Sequence, residues 1–247
     1  MIRSSLITLM LMATAPAALA AAPAPIAAAV ADAGRPAADI ARDADRKPAE
    51  MLAFAGVKPG MVVMDLMPGG GYFTRLFSAA VGPKGKVIAY VPDEVAQKSP
   101  KALANIQPIV AEAGRGNVMI SHDPLMAPAP TGTIDIVWTS ENYHDLHNIP
   151  GVDVAAFDKR IFDALRPGGV FVVQDHAAAA GSGLANTGDL HRIDPAVVRK
   201  EAESAGFVFA GESSLLANPA DPHTAKVFDP AIRGHTDKFL YRFRKPG

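Results

Sequence analysis

"MDLMPGGGYFT" occupies Met64–Thr74, and its reading decides the rest of the chain. The apolar run "MVVMDL" (61–66) enters it. A short apolar run of this kind, bounded by glycine, is better read as a buried strand than as a helix. "YFTRLFSAAV" (72–81) leaves it, with apolar residues at helical spacing. Between them stand Gly69, Gly70 and Gly71. Glycine lets backbone approach a ligand closely, and the first turn of the helix behind it offers free N–H groups. Glycines also make tight turns that hold nothing, so the order strand, turn, helix is what gives this stretch weight.

Working outward, the same alternation continues. "KVIAYV" (86–91), "VMISHD" (118–123), "TIDIVWTS" (133–140) and "VFVVQDH" (170–176) read as strands. Between them lie helical stretches at 94–113, interrupted around Pro108, and at "VDVAAFDKRIFDAL" (152–165), stopped by "RPGG". "DPAVVRKEAESAGF" (194–207) has Asp194 as N-cap and Pro195 at the first helical position. "FVFAGESSLL" (207–216) and "KFLYRFRK" (238–245) close the chain as two strands with no helical pattern between them, which predicts antiparallel pairing. Upstream, "ADIARDADRKPAEMLAFAG" (38–56) predicts a helix broken at Pro48 and ended at Gly56. The expected fold is α/β: a doubly wound, mostly parallel seven-stranded sheet with an antiparallel strand near one edge.

The 247 residues carry a formal net charge of −1, with 49% hydrophobic and 20% charged residues, which suits one ordinary globular domain. Near-neutral charge gives no electrostatic reason to expect nucleic acid as a partner. The absence of cysteine excludes a disulfide framework, a thiolate metal site and a cysteine nucleophile. "MIRSSLITLMLMATAPAALA" combines a basic start at Arg3, a short apolar stretch and a small-x-small ending. It reads as a secretory signal peptide over 1–20, with cleavage after Ala20 and a periplasmic or secreted mature protein that keeps no membrane segment. Residues 21–38, rich in Ala and Pro, read as a linker with a poorly defined helix, and 39–247 as a single Rossmann-like domain.

In a doubly wound sheet, ligands lie beyond the C-terminal ends of the strands. "ENYHDLHN" leaves the fourth strand with Glu141, Asn142, Tyr143, His144, Asp145 and His147. "QDH" ends the fifth with Asp175 and His176, and "LHRID" adds His191. Strands about 4.8 Å apart can bring these groups to one cleft. Histidine titrates near neutral pH and a carboxylate orients it, so His144, Asp145, Asp175 and His176 are the candidate catalytic residues, with His144 as general base. The same types could ligate a divalent metal, but their spacing matches no specific metal motif, and no metal is expected. The long connection 216–237, carrying His223, Arg233 and His235, reads as a lid.

Two ligand classes compete for the glycine turn. A dinucleotide fingerprint, G-x-G-x-x-G/A, fits poorly, because from Gly69 its third position falls on Thr74. "VVMDLMPGGGYFT" instead resembles the first motif of class I S-adenosylmethionine (SAM)-dependent methyltransferases, acid-x-Gly-x-Gly-x-Gly. Asp65 falls on the acid, Gly69 and Gly71 on the later glycines, and Met67 on the first glycine position. The resemblance runs through "KVIAYVPDE", "VMISHDPL", "TIDIVWTSENYHDLH" and "LRPGGVFVVQDH", from about residue 40 onward. "PGGGYFT", "NYHDLH", "LHRID" and "VFDPAIRG" resemble more closely an exported, methyltransferase-like family.

The resemblance implies a SAM site of Asp65, Met67, Gly69, Gly70, Gly71, Asp123 and Asn142, with Asp123 reading the adenine. The acid that binds the ribose should fall near Val91 and is not there, leaving Asp93 or Glu94 to substitute from the following turn. It implies a SAM-dependent methyltransferase acting on a small-molecule acceptor. An exported non-catalytic protein that keeps the fold for another ligand, and a His/Asp enzyme of other chemistry, stay open beside it.

Overall fold

The structure, a computed structural model, describes residues 22–127 and 131–247. The leader expected over 1–20 lies outside the described residues. Among these residues seven strands form one sheet: β1 (Val62–Leu66), β2 (Lys86–Tyr90), β3 (Val118–Ser121), β4 (Ile134–Ser140), β5 (Leu165–His176), β6 (Val208–Ser213) and β7 (Lys238–Arg244). Their order is β3-β2-β1-β4-β5-β7-β6. The first five pair in parallel, while β7 inserts antiparallel between β5 and β6. The expected sheet and its antiparallel strand, second from the edge, are as the sequence predicts.

Among the described residues, ten α-helices cover the two faces: α1 (Ala24–Val30), α2 (Ala37–Ile40), α3 (Asp43–Arg46), α4 (Pro48–Ala55), α5 (Tyr72–Val81), α6 (Asp93–Lys98), α7 (Lys101–Ile106), α8 (Tyr143–Leu146), α9 (Val154–Ala164) and α10 (Pro195–Ser204). Strand side chains alternate between faces. Val63, Val87, Ala89, Ile136 and Trp138 join the core under α1, α4 and α5, while Met64, Ile88, Val137 and Phe171 join the core under α9 and α10. Trp138 is fully buried, its ring 4.7 Å from Phe73 and 5.5 Å from Phe77 of α5. Strands buried on both faces explain why the sequence shows continuous apolar runs there.

Local chemistry accounts for several boundaries. Asp194 accepts from Ala196 N at 3.0 Å and Asp153 from Ala156 N at 3.2 Å, capping α10 and α9. Gly56 ends α4 in the left-handed conformation. The helix expected over 38–56 is three short pieces, and Pro48 begins the third. The one expected over 94–113 breaks at Ser99–Pro100 and tightens to a 3-10 turn at Gln107–Ala111, where Pro108 removes a donor. "RPGG" does more than stop α9: it forms the bulged start of β5, with the register shifting between Ile134 and Ile136.

The stretch 22–38 docks where a linker was expected. Helix α1 packs on α5 with Ile26 and Ala29 buried. Buried Arg35 holds Asp43 through two hydrogen bonds of 2.8 and 2.6 Å, and Asp43 accepts a 2.6 Å bond from Tyr72 at the start of α5. Buried Arg115 pairs with Asp32 at 2.5 Å. These ties place the segment against the helix that follows the glycine turn. No helix among the described residues is long and apolar enough to cross a membrane.

Candidate active site

The glycine turn sits at the C-terminal end of β1. Gly69 and Gly71 have φ of +58° and +78°. A Cβ on Gly71 would stand 2.0 Å from Ile109 Cδ1, so no side chain is admitted there. A Cβ on Gly69 or Gly70 would meet nothing within 4 Å; these two face open space. Met67 has φ of +50°, so the backbone at the first glycine position is left-handed although the residue is not glycine. Its N–H donates to Tyr90 O at 2.8 Å, and its carbonyl accepts from Asn142 Nδ2 at 2.9 Å.

Asp65 does not face solvent. It is buried, and its Oδ2 accepts a 2.6 Å bond from the Thr74 hydroxyl, joining β1 to α5. Burial pushes its carboxyl up to about 7, and the Thr74 bond only partly offsets this. A pocket of about 290 Å³ opens over Gly69 and Gly70, walled by Arg42, Arg46, Tyr72 and Glu141. Arg46 pairs with Glu141 at 3.0 Å. Arg42, exposed at the rim, has no acidic partner among the described residues. Neither arginine was singled out from the sequence, which gives no cue that α3 folds over the turn. On the other side of Met67 a cleft of about 860 Å³ is lined by Glu94, Lys98, Asp145 and Asn148.

The expected ribose and adenine contacts are less direct. Val91 is buried in the core beneath α5, so the position that falls on the ribose acid points away from the cleft. Glu94 accepts from Leu125 N at 3.0 and 3.2 Å while lining the cleft, and Asp93 lies 3.4 Å from His122. Asp123 accepts from Ser121 Oγ at 2.7 Å and lines a separate hollow of about 40 Å³ with Tyr90 and Phe157. It is not brought together with the glycine turn.

The polar residues after β4 and β5 divide into two groups. His144, buried in α8, lies 2.9 Å through Nδ1 from Asp175 Oδ1, and its backbone N–H donates to Asp175 Oδ2 at 2.8 Å. Burial works against charge on His144, but the Asp175 carboxylate outweighs it and raises the ring above its ordinary value. Burial would likewise raise Asp175, yet the paired imidazole holds it below the usual carboxylate range. On the far side of the ring, Nε2 faces His191 Nδ1 at 3.3 Å and Asp145 Oδ1 at 3.5 Å.

The remaining residues turn elsewhere. His176 Nδ1 lies 2.8 Å from the Thr236 hydroxyl, and burial drops this ring to about 4, against the opposing pull of Glu141 and Asp175. Its ring centroid is 6.3 Å from that of His144. His147 Nε2 lies 3.3 Å from Glu201, and the Tyr143 hydroxyl lies 2.8 Å from Asp158 and 3.0 Å from Glu201 on the α9–α10 side. The connection 216–237, expected as a lid, is pinned by fully buried Arg192, which donates to Asp221 Oδ2 at 2.8 Å and to the carbonyls of Ala177 and Ala225 at 3.0 Å each. His223 binds Asp237 within the connection, at 3.0 Å, and His235 is exposed. Val227, Phe228 and Arg233 still wall the cleft beside Glu141 and His176.

No family model matches the chain. It is similar to the ubiquinone/menaquinone biosynthesis C-methyltransferase UbiE of Pasteurella multocida, 34% identical over 121 residues, which is 48% of this chain and 41% of that protein. The UbiE of Escherichia coli O1:K1 / APEC is 27% identical over 186 residues, 74% of this chain and 64% of that protein. The chain thus spans between two fifths and two thirds of the length of these relatives. A SAM-dependent methyltransferase of known structure from Aquifex aeolicus superposes with a TM-score of 0.57 at 18% identity, over 79% of this chain and 88% of that one. The chain has the class I SAM-dependent methyltransferase fold.

Proposed function

We propose that this protein is a SAM-dependent methyltransferase acting on a small-molecule acceptor outside the cytoplasm. The observation that carries the reading is the turn at Gly69 and Gly70. It is open where a Cβ would stand, flanked by left-handed backbone at Met67, and faced by the Arg42 guanidinium, which has no acidic partner among the described residues. The names of the similar proteins point the same way. The residues suit the cofactor: Arg42 matches its amino-acid carboxylate, and bare glycine backbone admits it without a side chain in the way. Glu94, already lining the cleft, is the residue assigned to the ribose hydroxyls in place of Val91.

SAM supplies an activated methyl group. Methyl transfer is a displacement in which alignment matters more than acid–base help. The protein's part is to seat the donor over the glycine turn and to admit the acceptor beside His144, Asp145 and His191. The export reading rests on Arg3, the apolar stretch and Ala18–Ala20. Intact mass of the protein from a periplasmic fraction checks it, with an N-terminus at Ala21 expected; retention of Met1–Ala20 there overturns it.

Calorimetry of the mature chain with SAM and S-adenosylhomocysteine tests the cofactor. Both should bind. Gly69→Val should abolish binding with the fold retained, and Arg42→Ala should weaken it about tenfold to a hundredfold, the worth of one charge-assisted hydrogen bond. No heat with either compound would leave a binding protein for a different ligand.

A further inference from the structure

We propose that His144, Asp145 and His191 form a binding site for one divalent first-row metal ion of the zinc class, open to the cleft. His144 Nε2, Asp145 Oδ1 and His191 Nδ1 lie mutually within 4.8 Å. The three separations are 3.3, 3.5 and 3.7 Å. Ligands about 2.0–2.2 Å from a tetrahedral ion stand roughly 3.3–3.6 Å apart. As hydrogen bonds these contacts are poor. The nitrogen–nitrogen contact is long, and the carboxylate oxygen lies beyond bonding distance of both rings. The three atoms converge on a common centre, and only the 3.3 Å contact between the two rings is within hydrogen-bond reach.

The surroundings match a metal site as well. Asp175, fully buried, sits on His144 Nδ1. A carboxylate there fixes the proton on Nδ1 and leaves the Nε2 lone pair aimed at the centre, as in a carboxylate–histidine–metal arrangement. Asp175 is itself held by the backbone N–H groups of His144 and His176, both at 2.8 Å. His191 adopts φ of +56°, a costly conformation for histidine, and its ring rests 4.9 Å from that of Phe228. His144 is buried while Asp145 and His191 are half-exposed, so one side of the centre is open. Three protein ligands and an open position mark a catalytic rather than a structural metal. Two imidazoles and one carboxylate favour zinc, iron, cobalt or nickel over magnesium or calcium.

Asp145 also lines the cleft that Met67 borders. The open position would therefore take an oxygen of the acceptor, as a hydroxyl, enol or carboxylate, beside the methyl donor. This role rests on the proposed function; the binding of metal does not. It also makes His144 a ligand rather than the general base expected from the sequence. The sequence signal is weak because His191 lies 47 residues beyond His144.

The test titrates the metal-stripped mature chain with zinc by calorimetry, and with cobalt by visible absorption, which reports tetrahedral coordination. One equivalent of zinc per chain is expected, with an intense tetrahedral cobalt band. His191→Ala and Asp145→Ala, both at half-exposed positions, should each weaken zinc at least about tenfold with unchanged circular dichroism. Asp175→Asn should weaken it by about 10–100-fold, as outer partners of metal sites do. Absence of stoichiometric zinc binding, or equal affinity in wild type, His191→Ala and Asp145→Ala, overturns the site. The same preparations titrated with SAM separate the readings: zinc without SAM leaves the metal and removes the cofactor, and SAM without zinc does the reverse.

Discussion

Asn142, between β4 and α8, donates its Nδ2 to the carbonyls of Leu66 and Met67, at 3.2 and 2.9 Å, and so ties the exit of β4 to the entry of the glycine turn. Its Oδ1 accepts from the Thr139 hydroxyl, which fixes the amide's orientation. The turn is therefore held from a neighbouring strand as well as by its own glycines.

Asn142→Ala removes that tie and leaves two carbonyls and a hydroxyl short of a partner. A loss of about 1–3 kcal/mol in urea unfolding is expected, together with weaker SAM binding. Asn142→Asp should be worse than Asn142→Ala, because a carboxylate would face two carbonyl oxygens. Equal stability of wild type and both variants would show that the tie is incidental.

Gly69 and Gly71 should separate binding from folding. Gly71→Ala drives a methyl into Ile109 and Ile106 at a left-handed backbone position. It should destabilise the fold by roughly 2 kcal/mol or more. Gly69→Ala meets no protein atom and carries only the backbone cost, about 1 kcal/mol. Thermal melts and calorimetry should find Gly69→Ala folded but impaired for SAM, and Gly71→Ala impaired in stability first.

Restoring an acid at position 91 should fail. Val91 is 1% exposed, and Val91→Asp would place a carboxyl in the apolar core that packs against α5. A loss on the order of 3 kcal/mol is expected, with no gain in SAM affinity. Tighter binding by a fully folded Val91→Asp would show that the strand end can turn outward.

Asp65 and His176 give opposite pH dependences. Asp65, raised to about 7, keeps its proton in the folded state after the unfolded chain has lost it. Its contribution to stability therefore falls as pH rises from about 4 to about 7, by roughly 1.4 kcal/mol per unit, and is level above that. His176, lowered to about 4, resists a proton that the unfolded chain accepts below its ordinary 6.5. Its contribution falls as pH drops through the same window. The two slopes largely cancel between about pH 4 and 6.5. Urea unfolding of Asp65→Asn should show stability that rises with pH relative to wild type across this range, and His176→Gln the reverse. Parallel curves for all three proteins would show that neither group is shifted.

The sheet was legible because its strands are short apolar runs between turn residues, and because β6 and β7 lack a helix between them. Capping was legible at Asp194 and Pro195, where the signal is local. The backbone at Met67 was half legible: the motif asks for glycine there, and the left-handed φ shows why, although the residue itself departs. The inward face of Val91 follows from alternation with Val87 and Ala89, but the motif register drew attention elsewhere. What stayed hidden depends on distant approach. The Arg192–Asp221 pair joins residues 29 apart, and Arg46 reaches Glu141 across 95. Helix α8, four residues long, is too short to show a period.

The position of β7 has a consequence for the order in which the molecule can assemble. β6 pairs with β7 alone, and the outer edge of β5 is also covered by β7. A chain delivered from its N-terminus therefore presents β6 with no strand to join and β5 with a bare edge until Lys238–Arg244 arrives. The first five strands can zip as they emerge; β6 must wait for β7, and the two then close that end of the sheet together. During that interval the exposed edge of β5 is a surface on which a chaperone, or another unfinished copy, can act.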